Sequence, residues 1–218
     1  MSYYLFVFFS YSIFIAAAVG LYRFRKINAA YHPFVFYTLL ASCNELYSYI
    51  IVTRYGLSNN ANNNMYVLME ALIITWQFYK WDIFLNKQAL YYVLQCLFVA
   101  VWTLDLYASG DVYALFHRYR IYYAAILSLL CLGSINQVVF GSTRLLYKDA
   151  QFLISAGLMV LYTVKIITEL FWLYGLKRSE IFLYQVYTWF GYINFIINLL
   201  FSLAVLWIPR KARYIRYT

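Results

Sequence analysis

The chain is 218 residues long, 65% hydrophobic and only 11% charged, with a mean hydropathy of +0.66. That composition excludes an ordinary soluble domain, which has too little interior to hide so much apolar surface. The formal net charge of +9 does not point to nucleic acid, because the basic residues are dispersed and form no stripe.

Seven segments, 3–22, 33–53, 65–84, 89–108, 119–141, 150–174 and 181–208, are each apolar over the length of about 20 residues that crosses a bilayer as a helix. Together they predict an all-α, polytopic seven-helix membrane bundle forming one domain over 1–218. The first segment has no basic residue before it, and Arg23, Arg25 and Lys26 follow without an Ala-x-Ala site, so it reads as a retained helix and not a secretory signal. Ser12, Ala16 and Gly20 lie four apart on its surface and suit close packing. The second segment opens at Pro33 and leads to a polar run around 54–64, rich in Asn, that reads as the longest loop. Cys43, Cys96 and Cys131 all fall inside predicted helices, which predicts small core residues and no disulfide or metal framework.

Basic residues gather on the cytoplasmic side of membrane helices. With the N-terminus outside, eleven Lys and Arg flank the spans on the cytoplasmic side and five on the outer side. The expected orientation is therefore N-terminus outside and C-terminus cytoplasmic. Arg210, Lys211, Arg213 and Arg216 then form a basic face for anionic headgroups or a protein partner.

Ionisable residues within the spans carry the functional signal, since a charge at bilayer depth is costly and turns to a protein interior or a wet cavity. Glu45, Glu70, Lys165 and Glu169 lie inside segments two, three and six, and Asp105 near the outer end of segment four. Counting about 1.5 Å per residue puts these carboxyl groups at a similar level in the outer half of the membrane. Polar stripes of helical period accompany them: Tyr66 with Glu70, Lys165 with Glu169, and Asn194 with Asn198. Lys165 and Glu169, four apart, are expected to pair. Glu45 and Glu70 have no obvious basic partner within their own helices, and facing one another they would share a proton, which makes them the expected proton site or site for a cationic or hydroxyl-bearing ligand. Twenty-six tyrosines supply membrane-interface anchors, and mid-span Tyr37 and Tyr162 supply candidate pocket walls.

Enzyme signatures are missing. His32 and His117 read as loop residues, no H-E-x-x-H occurs, and Gly133-Ser134 lacks the frame of a nucleophile elbow. No catalytic residue, metal or cofactor is expected. The turn Asn62–Asn64 followed by Tyr66-Val67-Leu68-Met69-Glu70 resembles uncharacterised bacterial seven-span proteins, and the resemblance implies a small multi-pass protein of the bacterial inner (plasma) membrane. The topology also resembles SWEET-type and microbial rhodopsin-type proteins, and Asn44-Glu45-Leu46-Tyr47 is similar to Thr168-Glu169-Leu170-Phe171. The rhodopsin lysine is missing from 181–208, and so is the Pro-Gln signature of the sugar transporters. The expected function is a receptor or sensor-like module with a polar pocket in the outer half of the bundle. Its expected partners are membrane lipid, a protein partner and a small-molecule or proton ligand, with no nucleic acid. The alternatives are a small proton-coupled transporter or channel using the same carboxylates, and a structural subunit of a membrane complex.

Overall fold

A computed structural model describes residues 3–85, 87–141, 145–173 and 180–210. Lys211, Arg213 and Arg216 of the expected basic face lie outside the described residues. Within them the chain is helical, as α1 (Tyr3–Ser10), α2 (Ile13–Arg23), α3 (His32–Tyr55), α4 (Asn60–Lys80), α5 (Gln88–Ser109), α6 (His117–Gly141), α7 (Ala150–Leu173) and α8 (Glu180–Trp207). There is no strand among the described residues, only an isolated antiparallel bridge between Ile27 and Arg210. Among the described residues five helices are long and apolar enough to cross a membrane: Ala29–Tyr55, Gln88–Ser109, His117–Gly141, Ala150–Leu173 and Thr188–Trp207. Val7–Arg23 is a shorter apolar one. The protein is a membrane-embedded helical bundle.

Three boundaries differ from the sequence expectation. The first segment is kinked at Tyr11–Ser12, where Ser12 donates its hydroxyl to the Phe9 carbonyl. Backbone bonds there tighten to i−3 spacing, at 3.2 Å from Ser12 to Phe9 and 3.0 Å from Phe14 to Tyr11. The third segment starts five residues before the expected 65 and ends at Lys80, before a turn in which Asp82 and Leu85 have φ of 58° and 48°. The Asn run is therefore mostly helix, and only residues 56–59 connect α3 to α4. His32 and His117 are the first residues of α3 and α6, not loop residues.

α3 starts well because Pro33 occupies its first turn, where no N–H is needed. Gln77 of α4 locks that start, accepting from the Phe34 N–H at 2.8 Å and donating to the Ala30 carbonyl at 2.6 Å. The helix stops at Gly56, whose φ of 61° is left-handed.

The helices pack as a ring, α2 on α3, α3 on α4, α4 on α6, α6 on α7, α7 on α8, and α8 back on α1 and α2. α5 lies outside this ring against α4 and α6, and Phe98 is its only buried residue. Small residues set the close approaches. A side chain at Gly20 would meet Val35 at 3.0 Å, and one at Gly157 would meet the Phe201 ring at 2.7 Å. Such contacts favour helix association in lipid, where apolar burial gives little drive. Ser155 and Ser134 join α7 to α6 at 2.8 Å. Of the cysteines only Cys131 is core; Cys43 and Cys96 are exposed on the outer faces of α3 and α5.

Candidate functional site

Polar residues concentrate in the ring's centre, on helix faces turned away from lipid. Glu70 of α4 is fully buried. Its partner is Lys165 of α7, whose Nζ lies 3.0 Å from Oε1 and 2.8 Å from Oε2. Tyr123 donates to Oε2 at 3.2 Å and Tyr162 to Oε1 at 3.3 Å. Lys165 also donates to the Tyr123 hydroxyl at 3.0 Å and lies 5.6 and 5.4 Å from the Tyr123 and Tyr162 ring centroids. Every lone-pair direction of the carboxylate thus has a use, as a buried charge requires.

The expected Lys165–Glu169 pair does not form. One turn further along α7, Glu169 pairs instead with α6, at 2.6 Å from His117 Nδ1 and 3.3 Å from Arg120 Nη1. The reason is interhelical placement: Glu70 approaches Lys165 from α4 with both oxygens, while Arg120 and His117 occupy the first turn of α6 beside Glu169. Glu70 consequently does not share a proton site with Glu45. Glu45 accepts a hydrogen bond from Ser10, and among the described residues no basic side chain pairs with it.

Two connected cavities run along this centre. The first, about 410 Å³, lies at the bundle end where α3 and α7 finish and α4 and α6 begin. It is lined by Glu45, Arg120, Lys165, Glu169 and His117 among aromatic walls from Tyr11, Tyr49, Trp172 and Phe190. The second, about 170 Å³, shares Asn44, Glu45, Asn63, Arg120, Lys165 and Phe190 with it and continues inward. There it meets Tyr37, Tyr66, Asn194 and Asn198, beside Ile13, Val67 and Leu161. Asn198 is bound to the Ser12 hydroxyl at 3.0 Å, so the α1–α2 kink and the cavity floor are one structure.

The Asn run builds the cavity rim. Asn59 donates to Ser48 at 2.6 Å and Asn62 to Asn44 at 2.8 Å, tying α4 to α3. Asn64, fully buried, donates to the carbonyls of Val112 and Ala114 at 3.0 and 2.7 Å and holds the loop before α6. These bonds make a helix of residues with modest helix propensity.

Of the residues expected at the site, Glu45, Lys165, Glu169, Tyr66, Asn194 and Asn198 line the cavities. Glu70 lies beneath, reached through Lys165. Asp105 is on the outlying α5 and accepts from the Tyr119 N–H at 3.0 Å, satisfying one of α6's free first-turn donors. Arg210 is exposed at the opposite end. From the sequence His117 is expected in a loop, and Arg120, second residue of the segment 119–141, counts only among the outer-side basic residues. The signal that would have found them is the spacing His117, Arg120, Tyr123, which puts all three near one face of α6. Arg23 donates to the carbonyls of Val205, Leu206 and Ile208 and closes the C-terminus of α8. Among the described residues no group of three metal-ligating side chains occurs.

Compared with known proteins, the chain matches no protein family, no curated protein and no solved structure.

Proposed function

We propose that this is a seven-span protein of the bacterial inner membrane, N-terminus outside, whose outward-opening cavity binds a small polar ligand and which acts as a receptor or sensor module. The kinked pair α1–α2 counts as the first span. α4 counts as the third, its low hydropathy owed to Asn64, Glu70 and Gln77, all buried in protein and hidden from lipid. The observation that carries the reading is the cavity at Glu45, wet enough to admit a solute and lined by a carboxylate to which no cation of the described residues is committed.

A sensor in place of a carrier is supported by where the polar lining ends. A transport path would continue past Gln77, Asn136, Gln137 and Asn198; the inner cavity reaches Asn198, and neither cavity is lined by the other three. Gln77 is engaged with the α3 backbone and Gln137 with Gln151 at 3.2 Å. Ligand binding takes effect by favouring one bundle arrangement over another. The basic cytoplasmic end, Arg210 with Lys211, Arg213 and Arg216, offers a partner the surface on which to read it.

The test is a thermal-stability screen of the purified protein in nanodiscs against alkylammonium ions, inorganic phosphate, organic acids, sugars and amino acids. A ligand at 100 times its Kd adds about 2.7 kcal/mol, and Glu45→Gln should abolish that gain. If no compound gives a Glu45-dependent shift, the ligand-binding reading falls. Proton or solute flux in proteoliposomes that disappears in Glu45→Gln/Glu70→Gln would replace the sensor with a transporter.

A further inference from the structure

The cavity's charges are unevenly committed. Lys165 gives its ammonium to both oxygens of Glu70 and to the Tyr123 hydroxyl, three bonds for the three hydrogens of an ammonium. Arg120 turns Nη1 to Glu169, and its Nε and Nη2 are sealed inside protein. Glu169 is engaged at both oxygens, by His117 on one and Arg120 on the other. The Glu45 carboxylate differs from all of these. It is partly exposed, lines both cavities, accepts from Ser10 and has no ion-pair partner among the described residues. An ionised carboxylate has about four acceptor positions, so the Ser10 bond leaves room for a donor from the cavity.

The surroundings of Glu45 identify the kind of donor. With His117 neutral, Glu45, Glu70 and Glu169 are opposed by Lys165 and Arg120, and the one negative charge left over sits on Glu45. Rings stand around that charge. Tyr49 follows Glu45 by one turn of α3 and so lies on the same face. Tyr11 packs edge-on against Tyr49 with ring centroids 6.2 Å apart, and Phe190, like Glu45, lines both cavities. Aromatic faces attract a cation and give an apolar body its contact. A metal ion fits poorly there, because rings do not replace the several oxygens of its hydration shell, and among the described residues no group of three metal-ligating side chains occurs.

We propose that the ligand is an organic monoammonium ion, an amine with a single charge on an apolar alkyl or aryl body, its N–H groups donated to Glu45 and its body against Tyr11, Tyr49 and Phe190. This rests on the ligand-binding reading above and names the ligand's class. An organic acid or phosphate would face the charge of Glu45, while Lys165 and Arg120 are already committed to Glu70 and Glu169. The carboxylate of an amino acid would meet the same difficulty. A sugar or alcohol would leave Glu45 without a counter-charge. A diamine would bring a second charge to a cavity whose other carboxylate, Glu169, is already paired.

The experiment is equilibrium binding to the full-length protein in nanodiscs, by calorimetry, with empty nanodiscs as the blank. Phenethylamine and 3-methylbutylamine are set against their neutral counterparts 2-phenylethanol and 3-methylbutan-1-ol, the acid 3-phenylpropanoate, the amino acids phenylalanine and leucine, and the diamine 1,5-diaminopentane. The expected result is saturable binding of at least one monoamine, with its alcohol, the acid, the amino acids and the diamine each at least tenfold weaker. Glu45→Gln should weaken the monoamine at least tenfold and leave the alcohol unchanged. Phe190→Leu, which removes a ring and keeps apolar bulk, should weaken the monoamine more than the alcohol. If Glu45→Gln fails to fold, the comparison of amine and alcohol on the wild type decides. An alcohol, acid, amino acid or diamine that binds as tightly as the monoamines, or a monoamine whose binding survives Glu45→Gln, overturns the assignment. If one of those other compounds alone binds in a Glu45-dependent way, the monoammonium ion falls and the ligand-binding reading stands; no binding by any compound class removes both.

Discussion

Lys165→Met tests whether the ring's centre is held by a buried ion pair. Glu70 is fully buried, while Lys165 is 19% exposed and contacts both carboxylate oxygens within 3.0 Å. Methionine keeps the chain length and removes the ammonium, leaving a buried carboxylate with only the Tyr123 and Tyr162 hydroxyls at 3.2 and 3.3 Å. Removing one member of a buried pair costs about 3–5 kcal/mol. The two retained phenol donors put the expectation at the low end, about 3 kcal/mol. For a chain of this size that corresponds to a fall in Tm of roughly 6–12 °C, read from tryptophan fluorescence on heating in nanodiscs. Glu70→Gln/Lys165→Met removes both charges and should recover at least half of the loss, because no unpaired ion remains. A single variant within about 1 kcal/mol of wild type, or a double variant no better than the single, would refute the reasoning.

Gly157→Ala places a methyl 2.7 Å from the Phe201 ring and should cost about 1–3 kcal/mol as overpacking, whereas Gly133→Ala, whose nearest neighbour is 3.7 Å away, should leave the melting temperature unchanged. Asn64→Ala removes its two bonds to the Val112 and Ala114 carbonyls and one from the Phe116 N–H; a loss of about 1–3 kcal/mol and faster proteolysis at residues 110–116 are expected. For topology, Asn60→Cys in a background lacking the three native cysteines should react with an impermeant maleimide on intact cells. Lys87→Cys should react only after lysis. In the wild type, N-ethylmaleimide in detergent should modify Cys43 and Cys96 and leave buried Cys131 unmodified until the protein unfolds.

The helices were legible wherever lipid or protein surrounds an unbroken apolar run. α3, α5, α6, α7 and α8 begin and end within two residues of the sequence expectation, because bilayer thickness and the cost of an unbonded backbone fix the length of such a run. α4 was misjudged at its start because Asn59 to Asn64 carry a strong turn signal. The bonds that override it come from Ser48, Asn44 and the loop before α6, residues 11 to 50 positions away. The kink at Ser12 was hidden for the same reason. A serine in an apolar helix is ordinary, and only its bond from Asn198, 186 residues distant, shows why this one bends the chain's first span beside the cavity.

The site was legible as residue types and depth, and not as pairs. Counting turns puts Glu45, Glu70, Glu169 and Asp105 at one level; of these Glu45 and Glu169 line the outer cavity, while Glu70 lies beneath it and Asp105 on the outlying α5. Partner choice depends on which helices are neighbours, and the i,i+4 rule sees only one helix. It assigned Lys165 to Glu169, an exposed-helix preference worth a few tenths of a kcal/mol. A fully buried Glu70 on a facing helix outweighs that, because leaving it unpaired costs several kcal/mol. Once Glu70 takes Lys165, Glu169 turns to Arg120 and His117, and among the described residues the cavity carboxylate left without an ion pair is Glu45. Glu45 therefore stands out by elimination among interhelical pairs, which no count along a single helix can perform.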